Sequence, residues 1–327
     1  MTLLRKRAIG ATQIEVTIVG IGTAFLGRSQ DESRGLSAGR FRLDHDLGVK
    51  ALCAALDAGI GFIDTAPYYG TQPMVGDALR SQADKGSGIV LNSKVGRTSV
   101  DEFDFSADGA RRTVAKSLDV LGRDHLDLVA IHDAVNVPLD EVMGPKGAYS
   151  GLVRLKDEGV IGAIGTACYD PDINADYIET GGFDYAVVAD AWSLLNHRMR
   201  ERILPAAARL NTGLIIANPL ERGLLAEGAV PGRSYADRTF APEVLDHVRH
   251  LEKVSAKYGL TILDASLQWL TRTPQVASAV PGAATAAEAH ANALAAARDI
   301  PEAFWSEFEP LLKPWPVASL GVKAAKR

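Results

Sequence analysis

The chain alternates short runs of β-branched residues with longer amphipathic runs that are rich in alanine and leucine. The short runs predict buried strands and the amphipathic runs predict helices, an alternation typical of βαβ units and a parallel sheet. Eight strands are predicted, at residues 16–20, 61–64, 89–93, 126–131, 161–166, 185–189, 213–217 and 276–280. Eight helical stretches are predicted, at residues 46–58, 73–81, 106–121, 147–158, 171–180, 199–210, 241–258 and 261–271.

The number of strands favours a closed barrel over an open sheet. Eight strands with helices between them predict a (β/α)8 barrel, or TIM barrel, as a single α/β domain over residues 1–327. A doubly wound fold would place a G-x-G-x-x-G turn after its first strand, but residues 20–27 read GIGTAFLG, with the third glycine misplaced. Before the first strand, residues 6–15 contain the turn-like Gly10-Ala11, which predicts a β-hairpin covering the barrel floor.

Composition and charge exclude several classes of protein. The chain is 47% hydrophobic and 23% charged, and its net charge of −5 is spread along the sequence, which is not typical of nucleic-acid or membrane binding. Basic residues gather only at the two ends, at residues 5–7 and 323–327, where solvated termini are the simplest interpretation. Two cysteines, Cys53 and Cys168, form no disulfide framework and no metal motif, so we expect a cytoplasmic protein without a bound metal. The sequence leaves the oligomeric state open.

Titratable residues follow three consecutive predicted strands. Asp64 ends the second strand and Tyr69 lies five residues later, while Lys94 and His132 end the third and fourth strands. Catalytic groups of these barrels lie at the carboxyl ends of the strands, and neighbouring strands are about 4.8 Å apart, so the four side chains can converge. Taken singly, each has a structural alternative: a strand cap, a rim aromatic, a surface charge and a loop histidine.

The motif D-T-A-x-x-Y-G at residues 64–70, followed by Lys94 and His132, resembles the active-site tetrad of the aldo-keto reductases. The resemblance implies that Tyr69 moves a proton at the substrate oxygen while a nicotinamide exchanges hydride with the attached carbon. It also implies that His132 orients that oxygen as a neutral donor. We expect Lys94, held by Asp64, to lower the pKa of Tyr69, since a cation about 4 Å away contributes roughly 4 kcal/mol at an effective dielectric of 20.

The resemblance extends along nearly the whole chain and implies a binding site for the dinucleotide and the substrate. Phe25, Tyr69 and His132 are implied to contact the substrate. The residues implied to bind the cofactor are Gly22, Thr23, Thr166, Asp190, Trp192, Asn218, Leu220, Gly223, Leu224, Gly282, Glu288 and Asn292.

The nicotinamide site departs from the common family pattern at two strands. Thr166-Ala167 replaces the usual serine and asparagine after the fifth strand, and Ala189, followed by Asp190, replaces the usual glutamine of the sixth. We expect Thr166 and Asp190 to take over part of the hydrogen bonding to the carboxamide. Trp192 is expected to stack on the nicotinamide ring.

The segment after the last predicted strand bears on the choice between NAD and NADP. Residues 276–297 contain no lysine or arginine, whereas binding of a 2′-phosphate normally uses such side chains. Glu288 suits the free ribose hydroxyls and repels a phosphate, so we expect a preference for NAD. Arg222, Arg233 and Arg238, in or near the long loop at residues 227–239, leave NADP open, since one of them could reach the phosphate.

Residues 223–226 (GLLA) and 264–269 (DASLQW) resemble the branch of aldo-keto reductases that contains aldose 1-dehydrogenases and pyridoxal 4-dehydrogenase. This resemblance implies oxidation of a small polar alcohol, such as a sugar hemiacetal, to a lactone. Two alternatives stay open: a general NADPH-dependent aldehyde or ketone reductase, and a regulatory protein that binds the cofactor without turnover. The intact Asp64, Tyr69, Lys94 and His132 argue against the regulatory protein.

Overall fold

A computed structural model gives the structure of the protein and describes residues 4–28, 42–82, 88–233, 235–236 and 238–322. The basic segment at residues 323–327 lies outside these residues, as do parts of the loop after the first strand and of the loop at residues 227–239.

Eight parallel strands, β3 to β10, form a nearly closed barrel surrounded by helices. They pair in chain order, and isolated parallel bridges between Val19 and Ala279 and between Gly22 and Gly282 join the first strand to the last. The predicted (β/α)8 fold is therefore confirmed. In the part of the chain given above, the ten strands are β1 (Lys6–Ala8), β2 (Glu15–Thr17), β3 (Ile21–Gly22), β4 (Phe62–Asp64), β5 (Val90–Val95), β6 (Leu126–His132), β7 (Ile161–Cys168), β8 (Tyr185–Ala189), β9 (Gly213–Ala217) and β10 (Val276–Val280).

The predicted N-terminal hairpin is present, but it takes part of the run assigned to the first barrel strand. β2 pairs antiparallel with β1, so Val16 and Thr17 belong to the hairpin and the barrel strand begins later. The β-branched run changes partner at Ile18, whose N–H donates to the hairpin at Arg5 while its carbonyl accepts from Ala279 of the barrel. Because the same continuous β-branched run pairs first with the hairpin and then with the barrel, the hydrophobic periodicity alone could not locate the boundary between the two strands.

The hairpin covers the amino-terminal end of the barrel. The Arg7 guanidinium donates to the carbonyls of Thr271, Thr273 and Val276, at and just before the start of β10. Ile9 and Val16 are fully buried in the inner core together with side chains of the barrel strands. This end of the barrel is therefore closed by protein, which leaves the carboxyl ends of the strands as the accessible end.

All eight predicted helical stretches contain helices, although the one predicted at residues 199–210 begins as helix only at Ile203. The described residues form twelve α-helices, α1 (His45–Asp57), α2 (Gln72–Ser81), α3 (Ala107–Leu121), α4 (Leu139–Met143), α5 (Ala148–Asp157), α6 (Pro171–Glu179), α7 (Ile203–Leu210), α8 (Leu224–Glu227), α9 (Pro242–Lys257), α10 (Ile262–Leu270), α11 (Ala286–Ala297) and α12 (Glu302–Phe308). Four of these, α4, α8, α11 and α12, were not predicted; three are short, and α11 is so rich in alanine that it lacks a polar face.

Within the part of the chain that the structure describes, no helix combines the length and the apolar character needed to cross a membrane.

The hairpin turn provides a test of this packing. Gly10 has φ +52°, and a Cβ added there would lie 2.5 Å from the carbonyl oxygen of Asn211 and from the amide nitrogen of Gly213. Both neighbours are backbone atoms at the start of β9, so they cannot move aside cheaply. We expect Gly10→Ala to lower the free energy of unfolding by about 2 kcal/mol more than Gly259→Ala does, as measured by denaturant or thermal unfolding.

Gly259 is the matched control, since it also has a positive φ (+68°) but nothing lies within 4 Å of an added Cβ. Its substitution by alanine therefore measures backbone strain alone, about 1 kcal/mol. Equal losses in the two variants would show that the hairpin turn does not pack against β9 as described.

Candidate active site

The register of the barrel brings the predicted tetrad to one end. Asp64 is the last residue of β4 and lies beside Asn92 of β5, while Lys94 lies beside Ala130 of β6. His132 is the last residue of β6. Tyr69 ends a single 3₁₀ turn, Pro67–Tyr69, which Gly70 closes with φ +70°. The four side chains therefore come from consecutive strands and from the turn after the first of them.

Asp64 and Lys94 form a buried ion pair at the centre of the site. The Lys94 ammonium lies 2.7 Å from Asp64 Oδ1 and donates a second hydrogen bond to the carbonyl oxygen of Thr65 at 2.9 Å. The two side chains are only 1% and 4% exposed, so Lys94 is not the surface charge that its sequence context allowed. Ions buried to this extent are stable only when they are paired and hydrogen-bonded, a condition that this pair meets.

Two further side chains hold Asp64 in place, and the sequence did not point to either. Asn92 donates its amide N–H to Asp64 Oδ1 at 2.6 Å, and Tyr185 donates its hydroxyl to Asn92 Oδ1, also at 2.6 Å. Both are fully buried inside the barrel. Their positions could have been noticed as polar residues within buried strands, because such residues need internal partners.

Tyr69 packs against the ion pair and against His132. The Lys94 ammonium lies 4.9 Å from the centre of the Tyr69 ring, and the His132 ring meets it edge-on at 5.7 Å. Burial raises the pKa of the Tyr69 phenol well above its ordinary value, and the carboxylates of Asp64 and Asp133 raise it further. The lowering expected from Lys94 is therefore not observed. The ammonium is occupied by Asp64 and Thr65, and removal of the phenol from water dominates.

His132 is held as a neutral imidazole. Burial lowers the pKa of His132 well below its ordinary value, and the positive charges of Lys94 and Arg97 lower it further. A hydrogen bond with the Arg97 backbone acts in the opposite direction but does not outweigh them. The rings of Tyr68 and Tyr69 both lie edge-on to the imidazole, 5.7 Å away. A neutral imidazole has one N–H donor and one acceptor nitrogen, so it can bind the oxygen atom of a ligand.

These four residues lie in the wall of a cavity of about 600 Å³ at the carboxyl ends of the strands. Gly22 and Phe25 also line it. Its charged residues balance, because five acidic side chains face five basic ones. They are Asp64, Asp133, Asp170, Asp172 and Asp190, and Lys94, Arg97, Arg198, Arg222 and Arg238.

A second cavity of about 720 Å³ continues from the first, with which it shares Phe25, Asn218 and Gly282. The loop after β9 and the start of α11 contribute to its walls. The open space beside Gly223, where an added Cβ would meet nothing within 4 Å, leaves room for an elongated ligand. The predicted cofactor residues in its wall are Asn218, Leu220, Gly223, Gly282, Glu288 and Asn292.

Four of the predicted cofactor residues lie elsewhere. Trp192 lies in a separate cavity, where its ring stacks on Trp269 at 4.9 Å, so it is not placed to stack on a nicotinamide. The Thr166 hydroxyl is buried and already donates to Asn174, and Thr23 donates to the carbonyl oxygen of Asp64. Leu224 is fully buried in the hydrophobic core.

Asp190 is the predicted carboxamide-binding residue that does reach the cavity, and it belongs to a cluster of charges. Arg238 lies 2.6 Å from Asp190 Oδ1 and also pairs with Glu221, while Arg222 lies 3.5 Å from Asp190 Oδ2. Arg222 further donates to Asn218 Oδ1 at 3.0 Å. This cluster joins the end of β8 to the loop after β9, and it places Arg222 where the two cavities meet and Arg238 in the wall of the first.

Two charged groups that line the second cavity, Glu288 and Arg233, are paired with other protein groups. Glu288 accepts the backbone N–H of Ala284 at 2.7 Å, and Arg233 lies 2.6 Å from Glu227. The described residues contain no group of three or more histidine, cysteine, aspartate or glutamate side chains suited to hold a metal ion.

Sequence reasoning also missed Arg97 and Asp133 in the wall of the first cavity. Arg97 follows Lys94 by three residues, and Asp133 directly follows His132, so both lie in loops after barrel strands. Their side chains pair at 3.1 Å and line the cavity. The position of these loops was a usable signal, because catalytic and binding residues of the fold come from them.

Comparisons with known proteins agree with this geometry. Pyridoxal 4-dehydrogenase from Microbacterium luteolum is 28% identical to this chain, covering 92% of it and 95% of the relative. D-threo-aldose 1-dehydrogenase from Pseudomonas sp is 29% identical, covering 94% and 98%. The solved structure of aldo-keto reductase AKR11C1 from Bacillus halodurans, in its holo form, has a TM-score of 0.74 at 22% identity, covering 95% and 97%. The model of the Aldo/keto reductase family matches residues 19–313, so the chain belongs to this family of oxidoreductases.

Proposed function

We propose that the protein is an NAD-preferring dehydrogenase that oxidises the hemiacetal carbon of a sugar, or a similar polar alcohol, to the carbonyl of a lactone. The proposal rests on the convergence of Tyr69, His132 and the Lys94–Asp64 pair in the wall of a cavity with balanced charges. The proposed enzyme consists of one domain, residues 1–327. Its proposed location is the cytoplasm, as predicted from the two cysteines.

The side chains have distinct roles in this reaction. The substrate hydroxyl gives its proton to the Tyr69 oxygen as the carbon loses hydride, and the reverse transfer accompanies reduction. The nicotinamide supplies the hydride acceptor or donor when it is bound. His132 binds the substrate oxygen through a neutral ring nitrogen, and Lys94 with Asp64 fixes the face of the tyrosine ring. The carbinol thus loses its C–H bond as hydride and its O–H bond as a proton, and a C=O bond forms.

The charge balance of the cavity supports a neutral polar substrate. A net anion or cation would gain no overall attraction from five charges of each sign, whereas hydroxyl groups can bond to either kind of side chain. An apolar substrate would displace water from the polar atoms of these side chains and return no hydrogen bond, which is costly. The relatives named after pyridoxal and D-threo-aldose act, by those names, on small molecules that carry hydroxyl groups.

The second cavity supports binding of a dinucleotide, with the adenosine near Glu288. Residues 276–297 contribute no positive charge there, and Arg233 is paired with Glu227. This arrangement favours two free ribose hydroxyls over a 2′-phosphate. At the other end of the cofactor, Asp190 and Arg238 offer an acceptor and donors to the nicotinamide carboxamide, in place of the buried Thr166 hydroxyl.

A general aldehyde or ketone reductase using NADPH is the second candidate. The raised pKa of Tyr69 favours it, because a phenol that keeps its proton is ready to donate it to a carbonyl oxygen. The two candidates share the same tetrad and differ in substrate and cofactor, so steady-state kinetics separates them.

Removing the Tyr69 hydroxyl tests the proposed proton transfer. We expect the wild type to reduce NAD⁺ with at least one member of a panel of aldoses, pyridoxal and simple alcohols, and Tyr69→Phe to lower kcat by at least about 10³-fold. Tyr68→Phe is the matched control, since it removes the neighbouring phenol hydroxyl, which accepts a hydrogen bond from Arg97, and we expect it to lower kcat less than tenfold. Similar losses in the two variants would contradict the role of Tyr69.

The raised pKa of Tyr69 predicts a pH dependence that differs between the two directions. Alcohol oxidation needs the phenolate, whose fraction grows with pH below the pKa, so kcat/KM for oxidation is expected to rise from pH 7 to pH 10 without levelling. Carbonyl reduction needs the protonated phenol and is expected to stay flat from pH 6 to pH 9. An oxidation profile that reaches its plateau below pH 9 would show that the phenol is more acidic than its burial implies.

Cofactor choice tests the assignment of the adenosine site. We expect kcat/KM for NAD⁺ to exceed that for NADP⁺ by about tenfold or more, because the Glu288 carboxylate repels a 2′-phosphate and the Arg233 side chain in the same cavity is paired with Glu227. Glu288→Gln should lower the ratio of kcat/KM for NAD⁺ to kcat/KM for NADP⁺, because it removes a charge that repels the 2′-phosphate. Glu243→Gln, a substitution at an exposed position of α9, should leave this ratio unchanged. Equal or better kcat/KM with NADP⁺ in the wild type would refute the NAD preference.

A further inference from the structure

Arg97 is a rigidly held cation in the substrate cavity. Its guanidinium lies 4.1 Å from the centre of the Tyr68 ring and 5.5 Å from that of Phe103. One terminal nitrogen donates to the Tyr68 hydroxyl at 3.2 Å and the other to Asp133 Oδ2 at 3.1 Å. With these contacts the guanidinium is fixed before any ligand arrives, which lowers the entropy lost on binding.

Asp133 is held just as firmly, in a conformation that is unfavourable for its backbone. Its φ is +50°, a region that residues other than glycine seldom adopt, and its backbone N–H donates to the carbonyl oxygen of Ala167 at 2.8 Å. Its Oδ1 accepts the backbone N–H of Tyr169, while Oδ2 faces Arg97. Strained backbone of this kind often lies at functional sites, where the surrounding structure imposes it.

The pair lies next to the proposed reaction centre. Asp133 Oδ2 is 3.7 Å from His132 Nε2, and the Arg97 guanidinium covers the ring of Tyr68, which lies edge-on to His132. The Arg97 and Asp133 side chains remain 19% and 11% exposed, and both line the cavity. A substrate whose reacting oxygen meets His132 would therefore place its neighbouring atoms against this pair.

We propose that Arg97 and Asp133 form a specificity subsite that binds two neighbouring hydroxyl groups of the substrate, beside the carbon that reacts. This inference rests on the proposed function and names the feature of the substrate that the site selects. One hydroxyl accepts from the Arg97 guanidinium and the other donates to the Asp133 carboxylate, so a vicinal diol satisfies both partners at once.

The chemistry of the pair favours a diol over a carboxylate. Asp133 already neutralises Arg97, and an anionic substrate would meet the Asp133 carboxylate at the same place. A carbonyl compound without hydroxyls would remove water from both groups and return no hydrogen bond. Sites built to bond a hydroxyl reject analogues that lack it, because the buried polar groups lose their partner.

The test compares an aldose with its single-deoxy analogues in the wild type and in Arg97→Met/Asp133→Asn. The double variant removes both charges together, so no unpaired charge remains buried, and asparagine tolerates a positive φ. Arg97→Lys is the second variant, since it keeps the charge and loses the planar fork. Arg111→Met/Glu158→Gln is the matched control, because it removes an exposed ion pair between α3 and the end of α5. Circular dichroism and thermal unfolding verify folding.

We expect the wild type to prefer the aldose over at least one deoxy analogue by 10- to 100-fold in kcat/KM, and the double variant to reduce this preference to threefold or less. The change should appear mainly in KM for the aldose. The preference is a ratio within one variant, so any effect of the lost charges on His132 and Tyr69 divides out of it. The surface control should leave the preference as in the wild type.

Failure of this inference and failure of the proposed function give different results. If the wild type and the double variant oxidise aldoses with the same preferences, the proposed function stands and the subsite is overturned. If the wild type reduces aldehydes but oxidises no aldose, the proposed function is overturned. The subsite is then tested by measuring whether the same sugars inhibit aldehyde reduction. Inhibition of the wild type that is lost in the double variant supports the subsite, and absence of inhibition in the wild type overturns the subsite.

Discussion

The buried ion pair between Lys94 and Asp64 is the interaction on which the rest of the site depends. Two opposite charges can be removed from water at this depth only if their partners are fixed, and here the barrel fixes them. Asp64 ends one strand, Lys94 lies on the next, and the register sets their side chains 2.7 Å apart. Asn92 donates to the same carboxylate oxygen, and Tyr185 holds Asn92 from across the barrel. The site is thus anchored in the inner core.

The burial that fixes this pair also sets the protonation of its neighbours. Tyr69 and His132 are removed from water together, which favours the uncharged form of each: a protonated phenol beside a neutral imidazole. Lys94 contributes to keeping His132 neutral, while Asp64 strengthens the hold of Tyr69 on its proton. In this state Tyr69 can donate a proton to a carbonyl oxygen during reduction. For oxidation, the Tyr69 phenol must first lose that proton.

Charge compensation extends from the ion pair to two further places in the cavity wall. Arg97 is paired with Asp133 on the substrate side, and Arg238 with Asp190 and Glu221 on the side proposed for the nicotinamide. Each pair holds two loops at a set distance and leaves polar atoms facing the cavity. A surface built in this way binds ligands through directed hydrogen bonds, with little contribution from net charge, as suits a neutral polyol.

The sequence alone determined the strand count, the closing hairpin and the convergence of Asp64, Lys94 and His132, because parallel strands of one barrel share one active end. It did not determine where side chains point or how far they are removed from water. The turn after β8 directs Trp192 onto Trp269, away from the cavity, and the turn after β5 directs Arg97 into it. The pKa of Tyr69 was predicted with the wrong sign, since a nearby lysine is visible in sequence but desolvation is not. These features depend on atoms brought together from distant parts of the chain, which only the tertiary structure decides.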